Sequence, residues 1–253
     1  MRAAPTLLLA LLLAAQARAE TLVASVSTMR VAITSNYTGA SIVVFGGIER
    51  DAQTVARAGP YDIVVTVRGP RQSMMVRQKE PLGPIWLNRE QQRFAEVPMY
   101  LAVLTSRPIA EITSDPLRLK YKVGLDAIMA SPDFVADRRL PDPPFREALL
   151  RLQRQERLYL ENFRGVSFLT PTLFKATVPL PAVAPPGFYE VDIELFADEV
   201  LLARGQAGFD LVKTGFEQQV ASVAREWSGL YGLVVALIAL LFGWIASVIF
   251  RRD

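Results

Sequence analysis

The 253 residues contain no cysteine and no histidine. Without thiolate or imidazole the chain cannot form a zinc finger, an iron–sulfur cluster or a blue-copper centre. Haem attachment through C-x-x-C-H, cysteine nucleophiles and every triad with histidine as base are excluded for the same reason. Small secreted domains are usually stapled by disulfides, so an exported chain without them must be stabilised by burial, and roughly two hundred residues suffice for a core.

Charge of one sign is also scarce. The whole chain carries 28 basic and 25 acidic residues. Four of the arginines, Arg2, Arg18, Arg251 and Arg252, sit at the two ends with Asp253, which leaves residues 20–226 with 24 of each sign. The high isoelectric point therefore reflects the termini, and no charge field supports a nucleic-acid or anionic-lipid role for the bulk of the chain.

The ends are where long apolar runs occur. The start, MRAAPTLLLALLLAAQARAE, has a basic Arg2, an apolar stretch from Leu7 to Ala15 too short to span, and Ala17-Arg18-Ala19 as an A-x-A cleavage site before Glu20. It reads as a secretory signal peptide over 1–19. At the other end no charge interrupts Gly229 to Phe250, a length of roughly 33 Å as a helix, which predicts a transmembrane helix over 229–250. Trp227 and Tyr231 fall at one interface and Arg251 and Arg252 at the other. The short arginine end, 251–253, is expected in the cytoplasm. The predicted topology is a single-pass type I protein of the plasma (inner) membrane, with the bulk of the chain periplasmic.

Between the ends, SIVVFGGI, YDIVVTVRGP, SMMVRQ, GPIWLN and PMYLAVLTS alternate β-branched runs with turn residues. In YDIVVTVRGP, Ile63, Val65 and Val67 face one way, while Asp62, Val64, Thr66 and Arg68 form a mostly wet face. Successive strands without helix-length crossovers predict a mainly β chain built as an antiparallel, immunoglobulin-like β-sandwich. The β-rich parts are expected over 20–113 and 164–214, around a helical insertion over 114–163. Within the insertion VGLDAIMA reads as a short helix ended by Ser131-Pro132. A longer helix is predicted from Pro144 to Asn162 on the spacing of Phe145, Leu149, Leu152, Tyr159 and Phe163. Glu147 with Arg151 and Arg157 with Glu161 are i,i+4 pairs. Arg146, Arg151, Arg154 and Arg157 could face an anion, but a solvated, salt-bridged face is the commoner meaning. After Pro185-Pro186-Gly187, Val191, Ile193 and Leu195 share one face and FADEVLL reverses the chain into a hairpin. Phe216, Val220, Val223 and Trp227 then predict an amphipathic juxtamembrane helix over 215–228, a stiff joint to the span.

Within the span, Gly232, Ala236, Ala239, Gly243 and Ala246 fall along one stripe, a surface on which another helix can pack closely. An enzyme built from this chain would use carboxylates, lysine, serine or tyrosine. Asp62, Glu49 and Asp51 read as turn and strand-edge residues, and Ser106-Arg107-Pro108 lacks the G-x-S-x-G or S-x-x-K context. No catalytic set converges, so a non-catalytic protein without cofactor or metal is expected. Met74 and Met75 have thioethers suited to Cu(I), but neighbours on a strand point to opposite faces and cannot grip one ion without a bulge. Trp86 is expected as a core or rim aromatic.

The combination of ITSNYTGASIVVFG, YDIVVTVRGP, IWLN, SRP, FLTPTLFKATVPLPAVAPPGFYEVDIELF and the KTGFEQQV…FRRD terminus resembles the alphaproteobacterial putative transmembrane protein family over nearly the whole mature chain. The resemblance implies membrane location and a transporter partner such as a sulfite-exporter-like permease, and it carries no catalytic residues. The expected function is to bind or brace another envelope component, with the lipid bilayer and a multi-span protein, or a second copy through the span, as partners. A periplasmic ligand- or metal-binding module without a membrane partner is the alternative.

Overall fold

The structure, a computed structural model, describes residues 20–33, 38–49, 60–134, 142–213, 225 and 228–249. The predicted signal peptide, the cytoplasmic tail and the juxtamembrane helix, apart from Arg225 and Ser228, lie outside the described residues. Two compact units are distinguished. One is Met1–Val31 with Thr38–Leu211, the other Ala32–Tyr37 with Val212–Asp253.

The larger unit is built on strands, as the period-two pattern predicts. A four-stranded antiparallel sheet has the order β1-β3-β10-β9, with β1 at Thr21–Val26, β3 at Gly39–Glu49, β9 at Val166–Thr170 and β10 at Leu173–Pro181. A six-stranded sheet has the order β2-β12-β11-β4-β7-β8. Its strands are β2 (Arg30–Ile33), β4 (Asp62–Arg68), β7 (Leu101–Thr105), β8 (Tyr159–Asn162), β11 (Gly187–Ala197) and β12 (Val200–Lys213). Strands β5 (Arg71–Leu82) and β6 (Ile85–Pro98) pair only with each other.

Alternation decides the core. Along β10, Phe174, Ala176, Val178 and Leu180 are buried while Lys175 and Thr177 point outward. The register sets Phe174 opposite Gly46, Ala176 opposite Val44 and Val178 opposite Ile42. A Cβ at Gly46 would lie 2.7 Å from the Phe174 ring and 2.6 Å from the Val23 carbonyl, so glycine is what admits the ring. In the six-stranded sheet Ile63, Val65 and Val67 pair with Leu195, Ile193 and Val191, all buried. Tyr100 ties the two layers, its hydroxyl donating to the Pro179 carbonyl at 2.5 Å. The two sheets, of four and six strands, together carry more strands than an immunoglobulin domain.

Three expectations are corrected. The face of β4 carrying Val64 and Thr66 is buried rather than wet. It belongs to the sheet whose strands β7 and β8 lie against the helical segment: α1 (Ile109–Ile112), α2 (Asp115–Tyr121), α3 (Leu125–Met129), a 3₁₀ turn at Pro132–Phe134 and α4 (Pro143–Gln155). Second, the long helix stops at Gln155. Arg157 takes a left-handed φ of 58° while the Leu158 and Arg157 amides bond back to the Gln153 and Arg154 carbonyls, a Schellman stop made without glycine. Arg157 and Glu161 are thus not a helical pair, Tyr159 lies in β8, and the buried helix positions are Phe145, Leu149, Leu150 and Gln153, with Leu152 half exposed. Third, β8 runs parallel to β7, so the sheet is not purely antiparallel.

The smaller unit contains α5, Ser228–Ile249, a helix of 22 residues. Side chains are described without a break only over 235–247. Among the described residues no helix is long and apolar enough to cross a membrane.

Candidate functional site

Among the described residues three surfaces stand out. The first is α5. At 100° per residue Gly232, Ala236, Ala239, Gly243 and Ala246 fall within an arc of about 80°, and all five are exposed. A Cβ at Gly232 or Gly243 would meet nothing within 4 Å. The large side chains between them, Leu240, Phe242 and Trp244, are about two-thirds exposed at 70, 65 and 66%. The stripe is therefore open along its length, bounded by bulky apolar walls.

The second is a cleft of about 630 Å³ on the six-stranded sheet beside α2, within the range of small-molecule sites. Tyr121 is among its lining residues. The ring packs edge-on against Phe196, with Lys120 Nζ 5.2 Å and the Arg204 guanidinium 5.7 Å from its centroid. Arg204 Nη2 also reaches Glu194 Oε1 at 3.1 Å, a cross-strand pair fixed by the β11–β12 register. Next along the strands Asp192 accepts from Arg68 and from Gln206 Nε2. Burial raises the Glu194 pKa above the usual carboxylate value, Arg204 opposes that shift, and Asp192 adds to it. Arg68, Lys120, Lys122 and Arg204 against Asp192 and Glu194 leave the lining with an excess of positive charge.

Sequence reasoning missed this cleft. FADEVLLARGQ held only part of the signal: a reversal at Asp198-Glu199, both in left-handed conformation as a two-residue hairpin turn demands, would by itself set Glu194 opposite Ala203. The bulge between Leu195 and Phe196 shifts the register by one residue, to Arg204, and sets Asp192 opposite Gln206. Tyr121 comes from another element, and no spacing rule would bring it there.

Ser106 and Arg107, dismissed as a nucleophile context, converge with Asp62. The buried Asp62 carboxylate accepts from Ser106 Oγ at 2.9 Å and from Arg107 Nε at 2.8 Å, and a second Arg107 nitrogen makes the fork bidentate. Ser106 Oγ in turn accepts from the Ile63 amide at 3.2 Å. Hydrogen bonding to Asp62 raises the Arg107 pKa, burial opposes it, and Glu111 adds a smaller attraction. Every group in this cluster has its partner, so it is a lock on the end of β4.

The third surface is the hairpin. Val76, Phe94 and Val97 are buried at its base, where Met74 lies against α4 and Sδ accepts from Gln153 Nε2 at 3.2 Å. Met75 points the other way, toward Arg77, so the two thioethers do not share a site. Trp86 is not a core aromatic. It stands at the tip, 67% exposed, beside Leu82, Ile85 and Leu87.

Residues 21–252 match the family model described as Putative transmembrane protein (Alph_Pro_TM), and the chain belongs to that family. Neither the curated proteins nor the solved structures compared with it give a match.

Proposed function

We propose that this member of the family is a non-catalytic brace, held in the plasma membrane by α5 and working from the periplasmic side on another envelope component. The observation that carries this reading is the open small-residue stripe of α5. In lipid the tails are as apolar as leucine, so helices associate through close packing, and a groove floored by Gly and Ala permits it. A multi-span permease, of which a sulfite-exporter-like transporter is one example, is the partner class that offers helices for such a groove. The anchoring is supported by the family's transmembrane character and by the sequence, in which no charge interrupts Gly229 to Phe250.

The test fills the groove. Replacing Ala239 and Gly243 with leucine keeps the helix apolar and removes the close approach. After extraction in mild detergent, a multi-span protein that co-purifies with the wild type should be lost with the A239L/G243L variant. Unchanged association, or recovery of the wild-type chain only as a monomer, overturns the reading. Topology is checked separately by protease added to intact spheroplasts, which should digest residues 20–213.

A second reading, a ligand-binding module, rests on the Tyr121 cleft. Its positive excess fits a small organic anion, and a ligand that binds only the folded state raises apparent stability. Thermal-shift screening against carboxylates and sulfonates, with Tyr121→Ala as control, separates it from the brace.

A further inference from the structure

The tip of the β5–β6 hairpin carries features that the brace leaves unused. Beyond Val76 and Phe94 the ribbon leaves the body of its unit, and every residue from Pro81 to Glu90 is exposed. Gly83, at φ 63°, and Pro84 make the two-residue turn, with glycine at the position that needs positive φ. The last register pairs are Leu82 with Ile85 and Pro81 with Trp86, followed by Glu80 with Leu87. Successive pairs project to opposite faces of the ribbon, so Leu82, Ile85 and Leu87 lie on one side and Pro81 and Trp86 on the other. A docked protein surface ordinarily covers one face of a ribbon. A tip that is apolar on both faces matches a medium that surrounds it.

Charge follows the same geometry. Over 77–93 the hairpin has Arg77, Lys79, Arg89 and Arg93 against Glu80 and Glu90, a local positive excess that the neutral average of residues 20–226 conceals. The cations sit behind the apolar tip, where headgroup phosphates would lie if the tip reached the acyl boundary. Tryptophan is the side chain enriched at that depth, because its body is apolar and its N–H stays wet. Unpaired amides and carbonyls along the ribbon's edges keep it from going deeper than the interface.

We propose that the β5–β6 hairpin is a second membrane contact: its Leu82–Leu87 tip inserts into the interfacial layer of a phospholipid bilayer, with Arg77, Lys79 and Arg89 against the headgroups. The proposal rests on the reading that α5 anchors the chain in a bilayer, and the experiment tests the two apart.

The full chain has three tryptophans, at 86, 227 and 244. Two single-tryptophan proteins, W227F/W244F reporting Trp86 and W86F/W227F reporting Trp244, are reconstituted into phosphatidylcholine–phosphatidylglycerol vesicles with and without bromine on the acyl chains. Bromine quenches only tryptophan that touches lipid. The expected result is loss of most of the emission in both proteins, together with protection of Trp86 from aqueous iodide. Introducing L82D/I85D into the Trp86 reporter should restore its emission and its access to iodide. If Trp244 is quenched and Trp86 is not, the hairpin proposal is overturned while the anchor stands, including the case of a blue-shifted Trp86 buried against protein. If Trp86 alone is quenched, the anchor fails and the hairpin contact stands. Quenching of neither overturns both.

Discussion

Strand β10 paired with β3, and strand β5 paired with β6, are both antiparallel ribbons rich in apolar residues, and their fates differ. Phe174, Val178, Ile42 and Val44 are at most 1% exposed, whereas Leu82, Ile85, Trp86 and Leu87 range from 43 to 67%. Strands β5 and β6 carry eight charged residues to the two of β3 and β10, yet the tip itself, Leu82–Leu87, carries none. In β10 the apolar residues alternate with Lys175 and Thr177, so one face is apolar and a second sheet can cover it. At the hairpin tip the apolar residues are consecutive across the turn and occupy both faces, which no single layer can bury. Periodicity sets whether a strand joins the core. A break in periodicity on an exposed ribbon marks a surface kept apolar for another reason.

The largest test of this contrast is Phe174→Ala. Its ring fills the space over Gly46, and truncation should cost about 3–5 kcal/mol, read as a lower urea midpoint for the detergent-solubilised chain followed by strand circular dichroism. A smaller loss than that of an exposed hairpin residue would break the comparison. Asp62→Ala is expected next, at about 2 kcal/mol. It leaves Ser106 Oγ and the Arg107 fork without their acceptor, but Arg107 is 42% exposed and water can take its place in part.

Glu194 sharpens the comparison through pH. Its carboxyl is held above the ordinary glutamate value of 4.5, chiefly by burial. Between the unfolded and folded titrations the folded chain holds the extra proton, so the group's contribution to stability falls as pH rises through that window. Below the unfolded value nothing is lost, and above the folded value the loss is complete. Glu194→Gln removes the titration. The stability of the wild type relative to the variant should therefore decline from pH 4.5 upward, by less than either substitution above, and a difference constant with pH would show that Arg204 fully compensates burial.

Legibility in the sequence followed the range of the interaction. The strands of the sheets, the short helix at Leu125–Met129 and the reversal between β11 and β12 were readable because each shows in a local pattern of the chain. The helix end at Gln155 was not, since Arg157 adopts the left-handed conformation that glycine usually supplies, and the pairing of Tyr159 with Leu101 that continues the chain is long-range. The buried outer face of β4 was misjudged because Asp62 and Thr66 look like solvent-facing residues. Their burial depends on Arg107 and on the helical segment. The Tyr121 cleft required α2 to meet β11 and β12 from seventy residues and more away in sequence, and local pattern holds nothing of that meeting.

The smallest expected effect belongs to the tip and completes the contrast. Trp86→Ala and Leu82→Ser remove large apolar side chains, yet these are 67 and 63% exposed and leave no cavity behind. Substitutions at such positions usually change stability by no more than about 0.5 kcal/mol in either direction. Urea unfolding should give an unchanged midpoint and an unchanged slope, because the slope follows the surface exposed on unfolding and little of that surface is lost. A fall of the size expected for Phe174→Ala would mean that the tip is covered within the folded chain, and would remove the physical basis for treating it as a surface awaiting lipid.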